Sequence, residues 1–349
     1  VNTDERFAIP STGNAPVAAA TAPVKDAAAQ EEKKRARAER KEKDKAARAQ
    51  AEAQRRIARG RAEIFAMTLR IANLKGRAQF IVGDSDAPRA IDVATASNNS
   101  LSADPMLCFA HWDSLKKIAA TLDASSGTPV AVADLSCPVP QPRQMFAVGL
   151  NYRQHAAEMG SPLPPLPLVF AKFQSSLNSP TGNIEILSDT VDYESELVIV
   201  VGKGGRHIDE AVAWDHVAGL CVGQDVSDRG LQYMGTPPQF SLGKSRVGYS
   251  PIGPWVTDMS NNDKRDDLQL GCTVNGEQRQ DTQTSDMIFG IAHIVAYMST
   301  IVELFPGDVI YTGSPFGVGH GRKPQLYLKP GDVVETTLEG VGTITNRCI

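Results

Sequence analysis

The chain has 349 residues, 42% hydrophobic and 22% charged, which suits a soluble globular protein of two or three domains with a sizeable core. Its net charge of −4 conceals a split: residues 1–66 hold fifteen Lys/Arg against ten Asp/Glu, and the remainder holds 21 against 30. The acidic remainder argues against nucleic-acid binding, and the lack of any run of about 18 apolar residues argues against a transmembrane helix.

Residues 1–30 are rich in Ala, Thr, Pro and Asn without periodic apolar positions, and residues 31–63 are Ala, Glu, Lys, Arg and Gln almost throughout. Helix propensity is high in the second stretch, but no apolar stripe exists to pack it. A disordered tail followed by a solvated, fraying helix is expected over 1–66, with Met67 the physiological start or the extension dispensable. Residues 67–142 read as a small α+β domain and linker. Thr68–Leu74 and Ala78–Val82 form a predicted hairpin around Lys75-Gly76, and Ser114–Leu122 a predicted helix with Leu115, Ile118, Ala119 and Leu122 on one face. Pro138-Val139-Pro140-Gln141-Pro142 is a stiff lead into the main body, 143–349.

The main body is dominated by short strands and Gly/Pro turns. Strands are predicted at 146–150, 168–172, 196–201, 219–226, 270–274, 309–312, 333–338 and 342–346, and helices at 153–159, 209–216 and 286–303. Five cysteines (Cys108, Cys137, Cys221, Cys272, Cys348), odd in number and without a C-x-x-C, speak against a disulfide framework or a zinc knuckle and for a reducing cytoplasm.

Chemistry concentrates in a few places. Asp192-Tyr193-Glu194-Ser195-Glu196 opens the run Leu197-Val198-Ile199-Val200-Val201, so Glu194 and Glu196 project from one face at the mouth of a buried strand. Two like charges held so close call for compensation, and a hard divalent cation supplies it; a strand end with solvated acids is the alternative. Asp225 ends the next strongly apolar run and could join them from an adjacent strand. Three carboxylates suit Mg²⁺, Mn²⁺ or Ca²⁺ better than zinc.

His155 and Glu158 are three apart on a predicted helix, the spacing that lets a carboxylate orient an imidazole as general base; a surface polar pair is the bland reading. The Pro-rich stretch after them, 159–167, could make that helix part of a lid. Lys244, after Gly243, could neutralise enolate charge. Lys172 lies inside an apolar strand and needs an anionic partner. Arg229 and Gln232, three apart, could grip a substrate carboxylate. Thr312-Gly313-Ser314-Pro315-Phe316-Gly317 follows a strand, lacks a P-loop ending, and could present Thr312 and backbone N–H groups to a carboxylate.

Taken in order, Gly149-Leu150-Asn151-Tyr152…His155…Glu158, Tyr193-Glu194-Ser195-Glu196-Leu197, Gln224-Asp225…Arg229, Leu242-Gly243-Lys244-Ser245, Val274-Asn275-Gly276-Glu277 and Pro306-Gly307-Asp308…Thr312-Gly313-Ser314-Pro315 resemble the fumarylacetoacetate hydrolase family. The resemblance covers 143–349 strongly, and 67–142 looks like the small N-terminal domain of bacterial members. It implies an α+β, mainly β fold, a mixed β-sandwich roll, assembled as a homodimer with a divalent metal, Mg²⁺ by preference, at each site. By position, Glu194, Glu196 and Asp225 resemble the metal ligands, His155 and Glu158 the water-activating dyad, and Lys244 the lysine near the enolate. Lys172, Arg229, Gln232 and Thr312 fall where the family contacts substrate. The implied activity is hydrolysis of a C–C bond in a 1,3-dicarbonyl acid of the acylpyruvate type. Decarboxylation of an oxaloacetate-like acid and isomerisation or hydration of a 2-hydroxydienoate are the alternatives at the same site, with a non-catalytic keto-acid binder behind them. Two departures stand out. Ala147-Val148-Gly149-Leu150 offers no fourth carboxylate of the kind animal members use, which implies water there. The usual Thr-Gly-Thr-Pro is Thr-Gly-Ser-Pro, which keeps a hydroxyl at Ser314.

Overall fold

The computed structural model describes residues 68–349, so the expected tail, charged helix and start at Met67 lie outside the described residues. The Lys75-Gly76 turn, both residues at positive φ, joins β1 (Arg70–Leu74) to β2 (Arg77–Val82), and β3 (Arg89–Asp92) pairs beyond β2. Helix α1 (Trp112–Ala119) buries Trp112 and Leu115. Ten longer strands follow: β4 (Met145–Gly149), β5 (Leu168–Ala171), β6 (Ser195–Val201), β7 (Val217–Gln224), β8 (Ser250–Thr257), β9 (Gln269–Val274), β10 (Glu277–Gln283), β11 (Val309–Tyr311), β12 (Val333–Leu338) and β13 (Gly342–Arg347). Helices α2 (Arg153–Glu158), α3 (Arg229–Gln232), α4 (Phe240–Gly243) and α5 (Ile291–Ile301) are set between them.

The fold is α+β and mainly β. A mixed sheet runs β3-β2-β1-β8-β7-β6-β11-β4-β5, with further two-residue strands, and a four-stranded sheet runs β10-β9-β12-β13. All ladders between the named strands are antiparallel except β11 with β4. Strand β6 is central, and its apolar run Leu197–Val201 is fully buried on both faces. Leu197, Ile199 and Val201 pack with Leu270, Leu338, Ile344 and the α5 residues Ile291, Ile294 and Val295. Val198 and Val200 turn the other way, toward Ile71, Phe80, Phe109 and Leu115. Burial on both faces explains a continuous apolar run in place of alternation. Each such side chain contributes roughly 1.5–3 kcal/mol.

Three of the named strands escape the sequence prediction: the short β3, β8 and β10. β8 reads Ser-Pro-Ile-Gly-Pro-Trp-Val-Thr, and its prolines and glycine argue against a strand; a register shift opposite Leu220 and Val222 of β7 accommodates them. β10 is wholly polar, yet Gln280 and Thr282 are buried: Gln280 bonds to the Ser195 N–H, Ser314 and the Pro315 carbonyl, and the Thr282 hydroxyl donates to the Gln283 carbonyl. The predicted helix 286–303 shortens to α5 with Gly290 at its N-terminal boundary, and 209–216 forms a 3₁₀ helix, Glu210–His216, capped by Asp209.

Candidate active site

The ladder between β6 and β7 ends where the acids begin. Glu196 lies opposite Gly223 and Ser195 opposite Gln224, and the Asp225 N–H donates to the Glu194 carbonyl at 2.9 Å. Two buried glutamines hold the strand mouth: Gln224 Oε1 accepts the Glu194 N–H at 2.9 Å, and Gln280 Oε1 accepts the Ser195 N–H at 2.8 Å. As a result one carboxylate oxygen from each of Glu194, Glu196 and Asp225 lies within 4.8 Å of the others, all three side chains being buried. Glu196 Oε2 also accepts the Gly313 N–H at 2.7 Å. Gly313 has φ +104, and a Cβ there would stand 2.9 Å from the Val148 carbonyl, so the close approach requires glycine.

Three cationic side chains surround the acids. Lys244 Nζ donates to Glu194 Oε2 at 2.5 Å, Asp225 Oδ2 at 2.8 Å and Ser227 Oγ at 2.8 Å, which uses all of its hydrogens. Lys172 Nζ donates to Asp225 Oδ1 and to the Lys244 carbonyl. Arg229 Nη2 donates to Glu194 Oε1 at 2.5 Å and to Asp192 Oδ2 at 2.7 Å, and Nη1 to Gln232 Oε1 at 3.0 Å. Burial alone would raise the Glu194 carboxyl, but Arg229 and Lys244 outweigh it and hold it well below the ordinary range. Glu196 has no cationic partner among its bonds. Burial, with Asp225 and Glu194 beside it, pushes it well above the ordinary carboxylate value. Burial opposes charge on Lys244, yet Asp225 and Glu194 raise its pKa overall.

The same cavity, about 180 Å³, is lined by Glu194, Glu196, Asp225, Arg229, Gln232, Lys244 and His155, with Leu150, Met159, Leu168, Phe170 and Phe240 as apolar wall. His155 is buried on α2, and its Nδ1 is 2.8 Å from Glu158 Oε2; the other Glu158 oxygen accepts the Gly317 N–H at 2.9 Å. A carboxylate on Nδ1 favours the tautomer with its proton there and leaves Nε2 as the acceptor.

Nine of the ten residues singled out in the sequence thus converge, in contact with the cavity or with a group that lines it. Lys172 does not line the cavity; it sits behind Asp225 and steadies it. Thr312 is the exception. Its hydroxyl donates to the Leu197 carbonyl at 2.8 Å, and Ser314 lines the cavity in its place. Arg229 and Lys244 line the cavity but spend their donors mainly on protein groups, Lys244 on Glu194, Asp225 and Ser227 and Arg229 on Asp192, Glu194 and Gln232. Sequence reading missed Asp192, fully buried, which accepts from Arg229 Nε and Nη2 and from the Gly319 and His320 N–H groups. The signal was present, since Asp192 repeats the i, i+2 spacing of Glu194 and Glu196. It also missed His320, which lines the cavity.

The donor set fits a divalent ion. It is all oxygen, and the buried cluster of Asp192, Glu194, Glu196 and Asp225 against Lys172, Arg229 and Lys244 leaves one negative charge unbalanced.

The family model "Fumarylacetoacetate (FAA) hydrolase C-terminal" matches residues 144–349. The human protein "Oxaloacetate tautomerase FAHD2A, mitochondrial" is 39% identical over 214 residues, 61% of this chain and 68% of that one. Among solved structures, a Mycobacterium smegmatis protein solved under the name HpcE is 45% identical, with a TM-score of 0.75 over 80% of this chain and 99% of the other. Fumarylpyruvate hydrolase from Pseudomonas aeruginosa, in complex with Mn²⁺ and pyruvate, is 31% identical, with a TM-score of 0.54 over 60% of this chain and 90% of the other.

Proposed function

The chain belongs to the fumarylacetoacetate hydrolase family, whose members are metal-dependent enzymes, and on that premise we propose that it hydrolyses a C–C bond of an acylpyruvate-type 1,3-dicarbonyl acid. The observation that carries this reading is one cavity lined both by three buried carboxylates and by a histidine held by its own glutamate. Binding alone requires no general base, which weighs against a non-catalytic keto-acid binder.

Glu194, Glu196 and Asp225 would hold the ion, with Mg²⁺ proposed and Mn²⁺ or Ca²⁺ served by the same ligands. When bound, the ion supplies Lewis acidity to a 2-oxo acid and offsets enolate charge. His155 Nε2 takes a proton from water as the water attacks the distal carbonyl, and Glu158 stabilises the imidazolium that forms. Collapse of the tetrahedral adduct breaks the C–C bond, leaving a carboxylic acid and the enolate of pyruvate. Protonated His155 returns a proton to the enolate carbon. Lys244 keeps Glu194 and Asp225 in place and adds positive charge beside the enolate. Lys172 anchors Asp225, Arg229 anchors Glu194, and Gln232 offers its free amide N–H₂ to the substrate carboxylate.

A second reading, keto–enol tautomerisation of an oxaloacetate-like acid, is favoured by the similarity to the human oxaloacetate tautomerase. It would use His155 as proton carrier without attack by water. The deciding experiment is a panel of acylpyruvates, oxaloacetate and 2-hydroxydienoates with Mg²⁺, followed by loss of the 1,3-diketone absorbance and by pyruvate release. Pyruvate release from acylpyruvates supports hydrolysis. Enol–keto interconversion of oxaloacetate without acylpyruvate cleavage overturns it.

We propose a homodimer in the cytoplasm. The support is the exposed apolar edge of the large sheet and five free, buried cysteines; the human relative is described as mitochondrial. Among the described residues no helix is long and apolar enough to cross a membrane.

A further inference from the structure

The substrate carboxylate and 2-oxo group account for one end of the cavity, and His320 stands on its wall with no part in the chemistry above. Its environment determines which nitrogen carries the proton. Gln325 Nε2 is 3.2 Å from the His320 carbonyl, an acceptor only, so this end of the Gln325 amide is the NH₂ group. The same NH₂ lies 3.2 Å from His320 Nδ1, and the Tyr327 hydroxyl lies 2.8 Å from it. An amide NH₂ cannot accept, so Nδ1 must, and in the neutral ring the proton resides on Nε2. Burial first, then the nearby Arg229 charge, lowers the His320 pKa and keeps the ring neutral.

The ring is also held in place. Tyr233, another cavity residue, stacks on it at 5.3 Å between centroids and 20° between planes. The His320 N–H donates to Asp192 Oδ2 at 3.0 Å, the carboxylate that grips Arg229. Gly319 makes this approach possible. Its N–H donates to Asp192 Oδ1 at 2.7 Å, and a Cβ there would lie 2.0 Å from the Leu326 carbonyl. With Lys244 bound to Glu194, Asp225 and Ser227, and Arg229 to Asp192, Glu194 and Gln232, His320 Nε2–H is a neutral donor in a cavity that Leu150, Met159, Leu168, Phe170 and Phe240 also line.

We propose that His320 is a specificity-determining residue that donates its Nε2–H to an oxygen in the acyl portion of the substrate, so that the site favours acyl groups bearing a carbonyl or carboxylate over plain alkyl groups. The assignment of the acyl end rests on the acylpyruvate reading, while the donor itself does not. A hydrogen bond from a neutral donor to a carboxylate, lost in a cavity, corresponds to roughly a tenfold to hundredfold loss of affinity.

The test compares wild type, His320→Ala and His320→Gln, the last placing an amide N–H where Nε2–H stands. The first arm measures binding of oxalate, which lacks a distal group, and of 2-oxoglutarate to the Mg²⁺-loaded protein by calorimetry. The second measures kcat and KM for two acylpyruvates of equal length, one ending in a carboxylate and one in a methyl group. His320→Ala should lose at least tenfold more on 2-oxoglutarate than on oxalate, and at least tenfold more kcat/KM, through KM, on the carboxylate substrate than on the alkyl one. His320→Gln should recover part of both. Equal losses on the paired ligands, or a loss in kcat alone, overturn the proposal. If no acylpyruvate is cleaved but the binding ratio shifts as stated, the acylpyruvate reading falls and the role of His320 stands.

Discussion

At the residue scale, the site is an exercise in charge balance. Glu194 is held ionised by Arg229 and Lys244, whereas Glu196 receives only a backbone N–H and two neighbouring carboxylates. An ion binds the deprotonated form of Glu196, so Mg²⁺ affinity should fall as pH drops, beginning above the ordinary carboxylate range, where the raised group takes its proton. Glu196→Gln should lower Mg²⁺ affinity at least tenfold, flatten that pH profile and reduce turnover by roughly 10²–10³. Calorimetric titrations across pH check this, and unchanged affinity would remove Glu196 from the ligand set. Lys172 is a separate case. Replacing it with Met leaves one Asp225 oxygen buried without its cation, and such a loss typically costs about 3–5 kcal/mol. Urea unfolding of Lys172→Met should show a loss of that order; a change under 1 kcal/mol would mean Lys244 alone suffices to hold Asp225.

At the element scale, α2 delivers the proposed base. It is six residues long, too short to be stable by itself, and tertiary contacts fix it: Asn151 Nδ2 donates to the Thr312 carbonyl at 2.7 Å, and Glu158 accepts the Gly317 N–H. The helix and the glycine-rich 312–321 loop therefore behave as one positioned unit. His155→Ala should cut acylpyruvate hydrolysis by roughly 10²–10⁴, and Glu158→Gln by less, since the ring keeps its place but loses its carboxylate. Pyruvate release in single turnover measures both. Equal rates in wild type and His155→Ala would exclude the dyad as the water-activating group.

At the scale of the whole molecule, β5 closes one end of the large sheet and leaves Leu168 and Val169 exposed, with Leu163, Leu166, Phe173 and Leu242 exposed on neighbouring segments. An apolar sheet edge of this kind is a natural pairing surface. Light scattering should give the mass of two chains, and Val169→Lys should shift it toward one; a wild-type monomer would sink the dimer. Mg²⁺ should also raise the unfolding temperature of the whole domain by mass action, with chelator reversing it. A melting curve insensitive to both would separate the carboxylate cluster from metal binding.

How much of this was legible along the chain follows from how local each signal is. Strand β6 announced itself because an apolar run burying both faces reads the same in any context, and the i, i+2 rule placed Glu194 and Glu196 at its mouth. The His155–Glu158 pair was legible for the same reason, since three-residue spacing on a helix is local geometry. β8 and β10 were not, because prolines absorbed by a register shift and a buried glutamine, Gln280, satisfied by the site resemble loop residues until their partners are known. Thr312 and Lys172 were singled out as substrate contacts, but packing turns one toward the Leu197 carbonyl and sets the other behind Asp225. The sequence by itself determined the family, the mainly β architecture and the residues that bear charge. Tertiary structure alone decided which carboxylate lacks a cation, which donors are already spent and that His320 lines the cavity. Those depend on distances between segments up to a hundred residues or more apart, and hydrogen-bond and Coulomb energies are functions of distance, not of order along the chain.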